Sequence, residues 1–516
     1  MTSTYKSTAG RGGKQGWLVG MIAAMKRSRR SRLAVSLLLL PVCVSMAGWA
    51  PAAYAEGLPD LGESAQADLP PQMEKRIGAD VMRDIRLHEA AYLDDPEVSE
   101  YLNTIGHKLS AQSDELGQDF EFFALRDATL NAFAMPGGYI GVHTALILAA
   151  QTESELAGVL AHEISHVTQR HLARMVNKQG QGQLAALLAM AVALLAARSN
   201  PDAAVGAAIA GQAAGIQQQL NYSRDFEREA DRFGLNLMEK AGYDIRGMAA
   251  FFERLQKFGR LYENNAPGYL RTHPLTTERI ADMDNRIQDR PYKQVRDSLD
   301  FLLVRAKLRV EEGSAQDAVT EFESQVNEKK YVSEGAARYG LARAYLRDKR
   351  YALADKQVTE LRRLKVASPL VETLAAELRG KQNDQAGALK ILREGVARYT
   401  ESRALAYAWI EALLNNQRAD EALAFIESDV QSHTTDFRLR ALQAKAYALK
   451  GKRLRQHWAQ AESYALQGLL SPAIEQLTLA QKSTDGDFYE RSQVDARLRE
   501  VKARHAEELK QKDKKF

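Results

Sequence analysis

Thr152-Glu153-Ser154-Glu155-Leu156-Ala157-Gly158-Val159-Leu160-Ala161-His162-Glu163-Ile164-Ser165-His166 is the stretch from which the fold is read. Thr152 and Glu155 stand three apart, the spacing of a capping box, before a helix-forming run that continues to Arg170. On a helix, His162 and His166 fall one turn apart on one face, where two imidazoles can share one metal ion. Neutral nitrogen donors suit zinc, and a catalytic zinc takes three protein ligands and keeps a fourth position open. The spacing predicts His162 and His166 as ligands of one Zn²⁺ per chain. Glu163, between them, is the predicted catalytic residue, a general base that takes a proton from water and returns it to a leaving amine.

A second motif, Glu227-Arg228-Glu229-Ala230-Asp231, follows on what reads as a separate helix. Glu227 supplies the third ligand. Asp231, one turn on, is placed to bond the free ring nitrogen of a ligand histidine. Glu229 and Arg232 read as an exposed charged face. His143 and His171 fit no ligand spacing and read as structural. His273 lies in Tyr269-Leu270-Arg271-Thr272-His273-Pro274-Leu275, where Pro274 favours an extended loop, and Arg279 reads as the anchor of the next helix.

Upstream, Met73 to Gln112 carries apolar residues at helical spacing, and Phe120 to Leu125 reads as a strand. Asn131 to Val142 reads as two short strands around Pro136-Gly137-Gly138. Asn131, Ala132, Phe133, Ala134, Met135 and Gly137 form a candidate substrate strand. Its open edge would pair with an extended peptide, so that main-chain bonds fix the scissile bond without strong sequence preference. Leu184–Ala197 and Ala203–Ile216 read as an Ala-rich helical hairpin. It either covers the catalytic core or makes peripheral membrane contact, since neither arm reaches the ~20 residues of a bilayer span.

From Asp297 the chain is almost all helix-forming. Ala306, Gly313, Ala318 and Phe322 recur in offset as Ala461, Gly468, Ala473 and Leu477, and Ala354, Ala388 and Ala422 are 34 apart. That period, with small residues where helices cross, resembles the tetratricopeptide repeat. The region Leu439–Gly451 breaks the period and reads as an unpaired or divergent helix.

The 516 residues are 45% hydrophobic, 7% aromatic and 26% charged, as in a globular protein rich in helix. The net charge of +4 misleads, because residues 1–55 hold eight Lys/Arg and no Asp/Glu, leaving 4 − 8 = −4 for the rest. A strong pull toward nucleic acid is excluded. Lys26 to Arg32, the apolar Leu33–Val44 and Ala53-Tyr54-Ala55 form an export signal with a cleavage site before Glu56. Met25 is an alternative start, making 1–24 a mis-annotated extension. Cys43, the one cysteine, lies inside that signal. A mature chain without cysteine has no disulfide framework and no thiol nucleophile.

The His162–His166 helix, the Glu227–Asp231 element and the Asn131–Gly141 segment together resemble the HtpX and CAAX-prenyl endopeptidase family of zinc metalloproteases. The resemblance implies a mainly α fold: a gluzincin-type metalloprotease domain with a small β-sheet, followed by an all-α tetratricopeptide-like solenoid. The division is a signal peptide over 1–55, a leader over 56–72, a zinc metalloprotease domain over 73–296 and a tetratricopeptide-repeat-like domain over 297–516. In similar proteins a histidine placed like His273 approaches the zinc, either as a reversible plug or to steady the oxyanion. With export and repeats added, the resemblance implies a Gram-negative periplasmic endopeptidase acting on unfolded or stalled outer-membrane β-barrel proteins and their assembly machinery, including the lipopolysaccharide-transport barrel. A chaperone scaffold with a self-inhibited protease site is the alternative. Enterobacterial relatives are implied to carry cysteines in the repeat half. This chain has none there, so redox regulation is not carried over.

Overall fold

The structure, a computed structural model, describes residues 69–115, 117–179, 224–261, 268–288 and 290–513. The export signal, most of the leader and the Ala-rich hairpin lie outside the described residues. Helix α1 (Pro71–His88) begins two residues before Met73, because a proline in the first turn gives up only an N–H that would have had no intrahelical partner. Helix α2 (Pro96–Ser110) is capped by Asp95, whose carboxylate accepts from the N–H groups of Glu97 and Val98 at 2.9 and 3.1 Å.

Three short strands follow: β1 (Glu121–Leu125), β2 (Ala132–Met135) and β3 (Tyr139–His143). Their order is β1-β3-β2, with β3 parallel to β1 and antiparallel to β2. Gly141 of β3 pairs with Phe123 on one side and Phe133 on the other. The β2 strand is thus an edge, with one side unpaired among the described residues. Pro136–Gly138 forms a 3₁₀ turn. Gly138 has φ +89°, and a Cβ there would lie 2.0 Å from the Asp119 carbonyl oxygen.

After the short α3 (Thr144–Ala149), α4 (Glu153–Thr168) runs through the middle of the peptidase half. Every residue from Glu153 to His166 is buried, the pattern of a helix covered on all sides. The capping box is half formed. The Thr152 hydroxyl accepts from Glu155 N, but the Glu155 carboxylate accepts from Gln151 N at 2.6 Å and pairs with Arg254. That arginine is available only in the folded chain and draws the carboxylate outward. Around α4 stand α5 (His171–Gln179), α6 (Arg224–Lys240), α7 (Arg246–Leu261), the short α8 (Gly268–Thr272) and α9 (Thr277–Gln288). Helix α7 approaches α4 closely where Gly158 faces Met248: a Cβ on Gly158 would lie 2.8 Å from Met248 Cα.

Twelve helices, taken in sequence as six consecutive pairs, complete the described chain. They are α10 (Leu299–Glu311) with α11 (Ala315–Asn327), α12 (Glu334–Arg347) with α13 (Tyr351–Arg363), and α14 (Pro369–Lys381) with α15 (Gln385–Arg398). The rest are α16 (Arg403–Asn415) with α17 (Ala419–Asp429), α18 (Phe437–Leu449) with α19 (Arg453–Leu466), and α20 (Leu470–Lys482) with α21 (Phe488–Asp513). Ala306, Ala318, Ala354, Ala388, Ala422, Ala461 and Ala473 are all buried, which fits small residues at helix crossings. The helix over Leu439–Gly451 diverges from the period but is not unpaired. It is α18, packed against α19.

One apolar core runs from the peptidase helices into the first repeats, joining Leu160, Met248 and Phe252 to Phe301, Val304, Phe322, Tyr339 and Leu374. The sequence change at Asp297 therefore marks no break in packing. None of the described helices is long and apolar enough to cross a membrane.

Candidate metal centre

Helix α4 carries His162, Glu163 and His166, α6 carries Glu227 and Asp231, and the residue after α8 is His273. All six are buried. His162 Nε2 and His166 Nε2 lie 3.0 Å apart. Glu227 turns one oxygen to each, Oε2 at 3.5 Å from His162 Nε2 and Oε1 at 3.4 Å from His166 Nε2. His273 Nδ1 joins them, 3.4 Å from His162 Nε2 and 3.0 Å from Glu227 Oε1. One donor atom from each of these four residues lies within 4.8 Å of every other.

Such a set suits a cation. Imidazole nitrogens and a carboxylate converge on one buried point, where their lone pairs would otherwise oppose one another. Both oxygens of Glu163 are buried and find no hydrogen-bond donor among the described residues, with His273 Nε2 at 3.5 Å from Oε1. A buried carboxylate that accepts no hydrogen bond among the described residues and lies beside a donor cluster suits a general base facing a reaction site.

A model of Peptidase family M48 matches residues 96–287. The chain is 40% identical over 307 residues to a putative beta-barrel assembly-enhancing protease of Vibrio cholerae, spanning 59% of this chain and 63% of that one. It is 30% identical over 473 residues to the beta-barrel assembly-enhancing protease of Escherichia coli K12, spanning 91% of this chain and 96% of the relative. The chain belongs to the beta-barrel assembly-enhancing protease family, within M48. A mitochondrial metalloendopeptidase OMA1 of Arabidopsis thaliana is 28% identical over 44% of either chain. The tetratricopeptide-repeat protein YrrB aligns over 36% of this chain at 16% identity and a TM-score of 0.27. Membership of M48 makes the chain a metallopeptidase.

Around the donor set, the electrostatics are uneven. Burial disfavours a charge on His162, but hydrogen bonds to the Asp231 and Glu227 carboxylates outweigh it and hold its pKa up at about 9. Burial takes His166 down to about 3. Burial would raise Glu227, yet the neighbouring His273 and Arg279 hold it well below the usual carboxylate range. Asp231 Oδ1 lies 3.0 Å from His162 Nδ1.

Two side chains have a different setting from the one the sequence suggested. Arg279 is more than a helix anchor: it bonds both Asp231 oxygens at 2.7 Å, lies 2.6 Å from Glu227 Oε2 and donates to the Pro274 carbonyl at 2.8 Å. Glu229 is no bare surface charge, since its Oε2 meets His171 Nε2 at 3.2 Å and Arg174 Nη1 at 2.9 Å. No spacing rule links Arg279 to Asp231, 48 residues away, and only the packing of α9 on α6 brings them together. Asn131 sits beside Gly268, with its Oδ1 buried and without a donor among the described residues. Ala132–Met135 is the free-edged β2, and Gly137 lies in the turn at its end with φ +79°.

Proposed function

We propose that the chain is a periplasmic zinc endopeptidase that assists assembly of outer-membrane β-barrel proteins, including the lipopolysaccharide-transport barrel, and degrades stalled or misfolded forms. The observation that carries the chemistry is the convergence of His162, His166 and Glu227 beside the buried carboxylate of Glu163, which accepts no hydrogen bond among the described residues. His162, His166 and Glu227 would hold one zinc ion. When bound, zinc supplies Lewis acidity, polarising a peptide carbonyl and acidifying water. Glu163 accepts the proton of the attacking water on a carboxylate oxygen and delivers it to the departing amine nitrogen. Asp231 holds His162 in the tautomer that leaves Nε2 free to ligate. The β2 edge, Ala132 to Met135, with Asn131 before it and Gly137 after, aligns an extended substrate by main-chain pairing. Residues 73–296 form the peptidase part and 297–516 the repeat part that engages clients and assembly machinery. The names of the relatives point to β-barrel proteins as clients. The export signal supports the periplasm, and the Ala-rich hairpin is the candidate for peripheral membrane contact.

One observation favours the second role, a chaperone scaffold with a self-inhibited site. His273 stands within the donor set, 3.0 Å from Glu227 Oε1, where it would plug the position a substrate needs. The test is incubation of the purified zinc form with an unfolded β-barrel protein beside Glu163→Gln. The variant is expected to keep about one zinc per chain and lose cleavage by several orders of magnitude, because metal binding and proton transfer are separate jobs. Undiminished cleavage removes Glu163 from the mechanism. Cleavage absent from both leaves the scaffold role.

A further inference from the structure

The two histidines of α4 are braced differently. His162 Nδ1 meets a carboxylate, Asp231 Oδ1, at 3.0 Å. His166 turns its Nδ1 to another imidazole, His171 Nδ1, at 2.9 Å. His171 opens α5 after a turn in which Arg170 takes φ +53°. Its side chain is fully buried and stacks on Phe226, with centroids 4.6 Å apart and planes 12° apart. The far nitrogen, His171 Nε2, lies 3.2 Å from Glu229 Oε2. Arg174 Nη1 holds that oxygen at 2.9 Å, and its guanidinium covers the Phe226 ring at 4.5 Å.

Two ring nitrogens at 2.9 Å need one hydrogen between them, as two lone pairs or two N–H groups would repel. For His166 to offer a lone pair at Nε2, its hydrogen must sit on Nδ1 and point at His171. His171 Nδ1 is then the acceptor, and its own hydrogen is on Nε2, facing the Glu229 carboxylate. Each donor in that series meets an acceptor. With the other His166 tautomer, Nε2 carries the hydrogen and cannot ligate.

We propose that His171 is a positioning residue for the metal centre. Held by Glu229, Arg174 and the Phe226 ring, it fixes the Nδ1–H tautomer and ring plane of His166, as Asp231 does for His162. This rests on the zinc reading of the site. It extends the carboxylate–histidine–metal arrangement by one imidazole, so that a neutral acceptor, not an anion, touches His166.

The test is zinc affinity, measured by competition with a chromogenic chelator on the full chain. His171→Phe keeps the stack on Phe226 and removes the acceptor. It is expected to weaken zinc binding about 10–100-fold. His171→Asn places Oδ1 close to where Nδ1 stood and accepts the same N–H, so its affinity is expected to stay within about threefold of wild type. Melting of the metal-free proteins separates affinity from folding. Should the Phe variant fail to fold, Glu229→Ala carries the test on a partly exposed site, with a loss of about threefold or more expected. In the zinc form, imidazole ¹⁵N spectra should show His171 as the Nε2–H tautomer. Wild-type affinity in the Phe variant, equal losses in Phe and Asn, or an Nδ1–H tautomer overturns the proposal. A wild-type chain without stoichiometric zinc would instead overturn the zinc reading, and this inference with it.

Discussion

Arg279 shows how one buried cation conditions the whole donor set. Its side chain is 1% exposed and faces two carboxylates, Asp231 and Glu227. Burial works against its charge, but those carboxylates more than compensate and push its pKa up. Removing one member of a buried ion cluster typically costs ~3–5 kcal/mol, because the remaining charges stay desolvated and unpaired. Arg279→Leu is therefore expected to destabilise the metal-free protein by about that amount in urea unfolding. A bound cation would restore positive charge beside Glu227, so the loss should shrink when zinc is added. An equal loss with and without zinc would show that Arg279 acts only as packing for α9. The sign at His273 is equally open to measurement. If it plugs the site, His273→Ala raises cleavage and makes it less selective, since clients no longer have to shift the equilibrium away from the plugged state. If it steadies the oxyanion, the same change lowers the rate by about 10²–10³. Its place between His162 and Glu227 favours the plug, and a fall in rate with zinc retained would reverse that choice. The sequence shows His162, Glu163 and His166 through helix spacing alone. It does not show Arg279 or the pairing of His171 with Glu229, because those contacts join elements whose approach no periodicity encodes.

At the scale of elements, the donor set depends on α4 being gripped by its neighbours. Gly158 lies one turn before His162, and a Cβ there would come within 2.8 Å of both Cα and Cβ of Met248 on α7. Backbone cannot rotate aside as a side-chain tip can. An alanine gains about 1 kcal/mol in helix propensity over glycine. Overpacking of a tight core costs about 1–3 kcal/mol. Gly158→Ala is expected to lower the unfolding midpoint and to weaken activity together, since α4 must shift to make room. A stabilised variant with full activity would mean that α7 yields without moving α4. The repeat half teaches a related lesson about legibility. The 34-residue spacing of Ala354, Ala388 and Ala422 is visible because a helix crossing admits only small side chains. The turns between paired helices follow the same period, with Lys349, Asn383, Gln417 and Gly451 all at positive φ between 59 and 67°. Three of those four are not glycine, so the turn left no compositional mark. Of the two readings of Leu439–Gly451, unpaired or divergent, only the first fails: the partner α19 carries Gln456 where the period calls for alanine.

At the scale of the molecule, the peptidase and repeat halves are joined by charge as well as by a common core. Lys307 of α10 is 8% exposed and reaches Asp95 and Glu97 at the start of α2, each at 2.5 Å. Thr373 also bonds Glu97, Glu100 accepts from Ser402 and from Ala404 N, and Arg438 pairs with Asp94. The turn Asp94–Glu97 thereby borders a cavity of about 630 Å³ lined by helices of the repeat half, with Tyr407, Phe437 and Lys445 among its walls. Lys307→Met would leave the half-buried Asp95 and the buried Glu97 with Arg343 as their remaining neighbouring cation, at an expected cost of up to about 3 kcal/mol at pH 7. The pH dependence identifies the cause. Burial alone would raise the Asp95 pKa, but Lys307 and the capping bonds hold it below its ordinary value of 3.8. In the wild type this group therefore adds stability above that pH, which is lost as pH falls through the lower folded value. Without Lys307 only the capping bonds and Arg343 oppose burial, so the folded pKa rises and the stability this group adds above 3.8 shrinks. The gap between wild type and Lys307→Met should accordingly be widest at pH 7 and narrow toward pH 4, as read from urea midpoints at the two pH values. Because one core spans both halves, the loss should appear as a shift of a single transition. A gap of equal size at both pH values would assign the cost to lost packing of the lysine stem, and a separate early transition would show that the halves can part while each stays folded.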